Sequence, residues 1–428
     1  MRLLRRHLQS ILHLPSLITR HSNKINTAGT GSVTAMTGYI CTVALQRAPD
    51  TPSDKYAKTH HVKNSRGQTV KFQNPHPSHV FPPPKAVASA VMETIASRRT
   101  LKPKLADQIV PVVKPQFLPS RGASSQLRAT WLGHACYYVE YSSGLRVLFD
   151  PVFEDCCSPV GLSQFRRYTK RPCDIADIPY VDAVIISHSH YDHLSHPSVQ
   201  EVQKHHPNAH FFVGLGLEKW FKSSGVKNVT EMDWWDEAEV TFTPQPTRET
   251  TDTPHTPITA SITCLPCQHS SGRTAVDRDR TLWASWAVKS GTPAKTVWFS
   301  GDTGYRTVPK MPNDDTDDWG PEYQHLPVCP QFRQIGEHLG SIDLGLIPIG
   351  AYRPRHTFSH MHANPFDSVE IFRDTNCKRA MGIHWGTWML TPEPPLEPPK
   401  LLREALRRKG LPETGLFDVC DIGASREF

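Results

Sequence analysis

The stretch that most constrains this chain is AVIISHSHYDHLSHP at 183–197. Its apolar start reads as a buried strand. The loop that leaves that strand then presents His188, His190, Asp192 and His193 within six positions. Polar groups this dense beside a buried strand end must be partnered, and a metal ion satisfies several at once. His188 and His190, two apart, can face one ion from one side of an extended loop. Asp192 and His193 follow a turn that points them to a second site nearby. Imidazole with carboxylate suits zinc, iron or manganese rather than calcium or magnesium.

More ligand-type residues stand in comparable settings. His269 follows the apolar run SITCLP, Asp302 follows TVWFS in SGDTGY, and His384 closes KRAMGI in GIHWGTW. Each lies where a predicted strand ends. Five histidines and two aspartates suffice for two ions that share one bridging carboxylate. Two metals about 3.5–4 Å apart activate a water and clamp an in-line phosphoryl displacement.

The net charge of +7 says little about a partner once it is located. Residues 1–49 hold six basic side chains and no acidic one, so only +1 falls on the other 379 residues. A near-neutral body argues against a nucleic-acid footprint. The arginine-rich, acid-free N-terminus with leucine and isoleucine at helical spacing has the composition of a mitochondrial transit segment. No apolar run approaches the roughly 20 residues of a membrane-spanning helix. The CLPC pair at 264–267 lacks a second pair and reads as reduced structural thiols.

Three regions are expected: a leader over 1–49, a proline-rich extension over 50–125, and a hydrolase domain over 126–428. The extension contains NPHPSHVFPPPKAV and one helix near 86–98, without an evident core. From residue 127 short strands rich in valine, isoleucine and aromatics recur, with helical patterns between the later ones. That order predicts an α+β fold of two sandwiched sheets with helices outside. Residues 243–257 and 310–330 read as solvated surface insertions.

The motifs, taken in order, narrow this further. HxHxDH, then His269, then Asp302 in FSGDTGY, then His384 in HWGTW resembles the metallo-β-lactamase superfamily. TWLGHA, FDPVFEDCCSP, ISHSHYDHL, EMDWWDE, RTLWASWAV, IPIGAYRPR and HWGTW together resemble the N-acylphosphatidylethanolamine-hydrolysing phospholipase D family. The resemblance covers about 125–425 and omits residues 1–120 and the two insertions. It implies an αββα sandwich with two zinc ions where the strands end, and the proline-rich N-terminal extension, read from its composition, is expected to be partly disordered. It assigns His188, His190 and His269 to one zinc and Asp192, His193 and His384 to the other, with Asp302 bridging. It places Tyr191 against the lipid headgroup and matches His362, in FSHMHANPFDS, to a histidine that meets the substrate phosphate. The flanking text diverges there, and His356 and His360 are nearby rivals.

The activity implied is hydrolysis of a phosphodiester to phosphatidic acid and an N-acylethanolamine, with Asp192 and His362 in catalytic roles. The partners implied are a membrane phospholipid met peripherally and a second copy of the chain. An apolar docking surface is therefore expected, with Trp234, Trp235, Trp385, Trp388 and the extension at 76–98 as candidates. His134, in WLGHA, reads as a partner of the ligands rather than a ligand, and His196 as structural. A lactonase or other hydrolase using the same metals is the alternative reaction. A non-catalytic lipid- or metal-binding scaffold predicts lost ligands, and all seven are present.

Overall fold

A computed structural model describes residues 39–49, 57–101, 109–158, 165–245, 256–274, 276–312 and 316–428. The first strand, β1 (Tyr39–Gln46), precedes a hairpin of β2 (His61–Lys63) and β3 (Thr69–Phe72), and then helix α1 (Pro84–Leu101). Next come β4 (Arg128–Gly133), β5 (Cys136–Glu140), β6 (Arg146–Phe149), β7 (Ala183–Ile185), α2 (His196–His205), β8 (His210–Gly214), α3 (Glu218–Ser223) and β9 (Val229–Met232). The second half runs β10 (Glu237–Pro244), β11 (Ile258–Leu265), β12 (Ser285–Ser290), β13 (Lys295–Phe299), α4 (Gln331–Leu339), β14 (Leu344–Pro348), α5 (Arg355–Phe358) and α6 (Pro365–Asp374). It closes with β15 (Ala380–Ile383), α7 (Glu397–Arg408), β16 (Phe417–Asp418) and β17 (Ser425–Glu427).

These strands form two large sheets. One has the order β17-β4-β5-β6-β7-β8-β9, the other β1-β10-β11-β12-β13-β14-β15-β16. Strand alternation explains how they stack, because successive side chains point to opposite faces. Tyr137, Val139, Phe149, Ile185 and Phe212 point into the core shared with the second sheet. Their neighbours Tyr138, Leu148, Val184 and Phe211 point outward, to a separate layer with Val199 of α2 and Phe221 of α3. Phe149 and Phe299 meet across the sandwich with ring centroids 5.0 Å apart. On the far side, Phe332 of α4, Val369 of α6 and Leu402 of α7 complete the main core. The expected αββα sandwich is what forms.

Several boundaries differ from expectation. The leader reading over 1–49 included residues that belong to the fold: β1 pairs antiparallel with β10 from Tyr39↔Pro244 to Gln46↔Glu237. An edge strand needs a partner that local sequence does not reveal, which is why this run read as leader. Residues 1–38, which carry the rest of that reading, lie outside the described residues. Most of the insertion at 243–257 lies outside the described residues. The one at 310–330 is not simply solvated: Arg355 Nε donates to Asp318 Oδ2 at 2.6 Å, and the Arg306 guanidinium sits 3.7 Å from the Trp319 ring centroid.

The described residues of the extension are fastened to the domain. His60 Nε2 and His61 Nε2 lie 2.8 and 2.9 Å from the two carboxylate oxygens of Asp233, and Lys58 Nζ lies 3.0 Å from the second. Two histidines and an aspartate this close are a metal-ligand geometry. Here the lysine ammonium already supplies the cation, so the group reads as a clamp. Cys264 and Cys267 are buried thiols without a disulfide, as read from the sequence.

Candidate metal centre

The HxHxDH loop leaves β7 at the sheet edge and ends in Ser195, whose side chain caps α2 by accepting from Ser198 N. The loops carrying His269, Asp302 and His384 follow β11, β13 and β15 of the other sheet. All therefore converge on one end of the sandwich. Gly301 lets the Asp302 loop come this close: its φ is +57°, and a Cβ there would lie 2.6 Å from the Cβ of Ser187.

The seven residues meet. His190 Nδ1 lies 2.8 Å from His188 Nε2 and 3.2 Å from His269 Nε2, so three imidazole nitrogens surround one point. Asp192 Oδ2 lies 3.4 Å from His193 Nε2 and 3.3 Å from His384 Nε2, which marks a second. Asp302 Oδ2 sits between them, 2.9 Å from His384 Nε2, 3.1 Å from His193 Nε2 and 3.7 Å from His269 Nε2. Asp302 Oδ1 is buried without a hydrogen-bond partner, an arrangement that normally signals an absent ligand. The donor set of imidazoles and carboxylates fits a pair of divalent ions.

The ring nitrogens that face away from this centre are mostly held. His269 Nδ1 donates to Met361 O at 2.9 Å, and His193 Nδ1 lies 2.7 Å from Asp150 Oδ2. Ser187 Oγ contacts His188 Nδ1 at 2.9 Å. Such contacts fix the tautomer that leaves Nε2 free for an ion. Backbone strain concentrates in the same place: His134, Asp150 and His384 adopt φ of +52°, +37° and +61°.

The electrostatics agree. Burial alone would raise the Asp302 carboxyl, but His193 and His384 outweigh it and hold it well below the usual range. Asp192 is likewise driven well below its usual value, with His193 and His134 overcoming burial. Burial lowers His188 and His269 far below the ordinary histidine range. His193 and His384 go the other way, His384 to about 9, because the two carboxylates overcome burial. The two carboxylates thus favour positive charge at His193 and His384, and a cation in the same place would supply that charge.

The remaining sequence candidates fall as follows. His134 Nε2 lies 3.0 Å from Asp192 Oδ2, and so touches a candidate ligand. His362 reaches the centre, with Nδ1 3.9 Å from Asp302 Oδ2 and its ring 5.2 Å from those of His269 and His384. Its rival His360 instead packs against His79 and Phe81. His196 is exposed at the start of α2, away from the cluster. Tyr191 lines an open cavity of about 630 Å³ with His190, Asp192 and Arg273. Arg273 stands 3.9 Å above the Tyr191 ring and donates to Ser189 O and Leu194 O, bracing the ligand loop from outside.

The four tryptophans expected to face a membrane do not. Trp234, Trp235, Trp385 and Trp388 are buried at 2–6% exposure, packed in the cores. The extension does expose apolar surface, at Val80, Phe81, Val91, Met92 and Ile95. Sequence reasoning missed the role of Asp150. It sits in the quoted FDP motif after β6, and its position at a strand end was the available signal.

Comparison with known proteins agrees with this geometry. The Beta-lactamase superfamily domain matches residues 145–385. N-acyl-phosphatidylethanolamine-hydrolyzing phospholipase D 1 of Caenorhabditis elegans is 35% identical over 308 residues, covering 70% of this chain and 76% of that protein. The mitochondrial N-acyl-phosphatidylethanolamine-hydrolyzing phospholipase D of Saccharomyces cerevisiae is 30% identical, over 66% of this chain and 52% of its own length. Among solved structures, Igni18, a metallo hydrolase from Ignicoccus hospitalis, aligns over 71% of this chain and 98% of its own at 18% identity and a TM-score of 0.44. The superfamily domain matched over more than half of the chain, and relatives of this identity and coverage, place the chain in the N-acylphosphatidylethanolamine-hydrolysing phospholipase D family of the metallo-β-lactamase superfamily.

Proposed function

We propose that this chain is a zinc-dependent phosphodiester hydrolase of phospholipase D type, cleaving N-acylphosphatidylethanolamine to phosphatidic acid and an N-acylethanolamine. The observation that carries the reading is the convergence of His188, His190, His269, Asp192, His193 and His384 around Asp302. The named relatives support the substrate. A zinc pair held by these seven residues supplies a nucleophile at neutral pH and a Lewis acid for a phosphoryl oxygen.

The chain's own groups do the rest. Asp192, fixed by His134 and His384, orients the attacking water and takes its proton. The water oxygen bonds to phosphorus as the P–O bond to the N-acylethanolamine oxygen breaks, and the proton passes to that leaving oxygen. His362 faces the cluster as a neutral imidazole, lowered by burial to about 3, and donates to a phosphate oxygen. Tyr191 lies against the headgroup in the open cavity.

The substrate is reached at a membrane surface, with Val80, Phe81, Val91, Met92 and Ile95 as the apolar contact and Arg278, 3.9 Å from the Phe81 ring centroid, at its edge. A mitochondrial location is supported by the name of the yeast relative and by the basic, acid-free residues 1–49.

The test is incubation of the zinc-loaded protein with vesicles of N-acylated or plain phosphatidylethanolamine. Phosphatidic acid and N-acylethanolamine are expected from the first, and a chelator should stop the reaction until zinc is restored. Opening of a lactone panel with no phosphatidic acid from either lipid would assign the lactonase alternative instead.

A further inference from the structure

The proline-rich strap NPHPSH at 74–79 belongs to the N-terminal extension. It does not run free over the surface. Asn74 Nδ2 donates to His269 O at 2.7 Å, and His269 N donates back to Asn74 Oδ1 at 3.2 Å. One side-chain amide thus satisfies both backbone groups of a candidate metal ligand, 195 residues away in the chain. The peptide units on both sides of the His269 Cα are held in this way, and neither can rotate without losing its bond. The His269 ring is separately held through Nδ1 by Met361 O, so with Asn74 its Nε2 has one available direction.

Four residues along, the strap makes a second attachment. Ser78, 1% exposed, donates from Oγ to Gln268 Oε1 at 2.6 Å. Gln268 Nε2 donates in turn to His360 O at 2.9 Å. Gln268 also joins the loop that carries Asp302: its N donates to Thr303 Oγ1 at 2.9 Å, and its O accepts from Gly304 N at 2.7 Å. Gly304 permits that approach, since a Cβ there would lie 2.6 Å from the His360 backbone. One buried glutamine therefore links the strap, the Asp302 loop and the segment that leads to His362. The strap itself is stiffened by Pro75 and Pro77 and pinned where Thr307 N donates to Ser78 O at 2.8 Å.

We propose that the 74–79 strap is a positioning element of the metal centre, with Asn74 setting the backbone of His269 and Ser78 setting Gln268. The extension is in this way part of the active site rather than an appendage to it. The inference rests on His269 being a metal ligand, as in the proposed function. Contacts of this kind are worth 10–100-fold in metal affinity when removed, on the order of what second-layer partners contribute elsewhere.

The test measures zinc affinity by competition with a chromophoric chelator, on the full chain, using zinc alone. Asn74→Ala is expected to weaken one of the two ions about 10–100-fold and to shift the visible absorption of the cobalt-loaded protein. Asn74→Asp, which keeps the acceptor for His269 N, is expected to recover part of the loss. Gln73→Ala, whose side chain donates to Thr59 O at the exposed edge of the strap, is expected to bind as the parent does. Full parental affinity in Asn74→Ala, with an ion lost in His269→Ala, overturns the strap's role alone. Equal weakening in Gln73→Ala and Asn74→Ala also overturns it, since that pattern reports general loosening. Full affinity in His269→Ala sinks the metal assignment and the strap's role with it.

Discussion

Replacing Asp302 with asparagine is expected to lower kcat/KM by about a thousandfold or more. The change preserves shape and removes one charge at the centre of the cluster. Asp302 Oδ2 is the atom that His384, His193 and His269 all approach, at 2.9, 3.1 and 3.7 Å. That oxygen is within reach of both nitrogen groups, so an amide there would remove the anionic ligand that two ions would share. Elemental analysis should fall from two zinc ions per chain to one or fewer. Parental turnover with parental zinc content in this variant would contradict the bridging role.

Asp150→Ala is expected to damage both stability and activity. The Asp150 carboxylate is fully buried and accepts from Ser187 N at 2.7 Å, from Ser187 Oγ, and from His193 Nδ1 at 2.7 Å. Alanine leaves those donors unsatisfied, a loss on the order of 3 kcal/mol. Alanine also tolerates the φ of +37° at this position less well than aspartate or asparagine does. With His193 no longer oriented, metal affinity should drop about 10–100-fold. Thermal unfolding and zinc competition check the two effects separately, and Asp150→Asn should fall between alanine and the parent. A variant that unfolds at the parental temperature and binds zinc normally would show that Asp150 neither stabilises the loop nor aims His193.

The sequence exposed the candidate ligands because each is a ligand-type side chain at the end of an apolar, strand-like run. His188 through His193 follow β7, and His269, Asp302 and His384 follow β11, β13 and β15. Strand ends at one edge of a sandwich converge, so local pattern carried three-dimensional information. Where that link was missing, the reading fell short. β1 was taken for leader because its partner β10 lies about 200 residues away and leaves no local trace. Asn74 and Ser78 gave no signal, since an amide or hydroxyl in a proline-rich segment has many uses and only the tertiary contact with 268–269 selects one. Asp150 was visible in its motif, but one aspartate after a strand commonly makes a turn or cap. The tryptophans misled in the opposite sense. A large amphipathic ring suits a membrane interface, but here the four rings fill core space, and one of them, Trp385, stacks on Trp131 with centroids 5.1 Å apart.

The central claim is that water attacks the phosphorus of a headgroup phosphodiester at the two-ion centre. Its most direct test is hydrolysis of N-acylphosphatidylethanolamine vesicles by the zinc-loaded protein in ¹⁸O-enriched water, with both products weighed by mass spectrometry. The account predicts one ¹⁸O in phosphatidic acid and none in the N-acylethanolamine. Label in the N-acylethanolamine, or no phosphatidic acid at all, would contradict it.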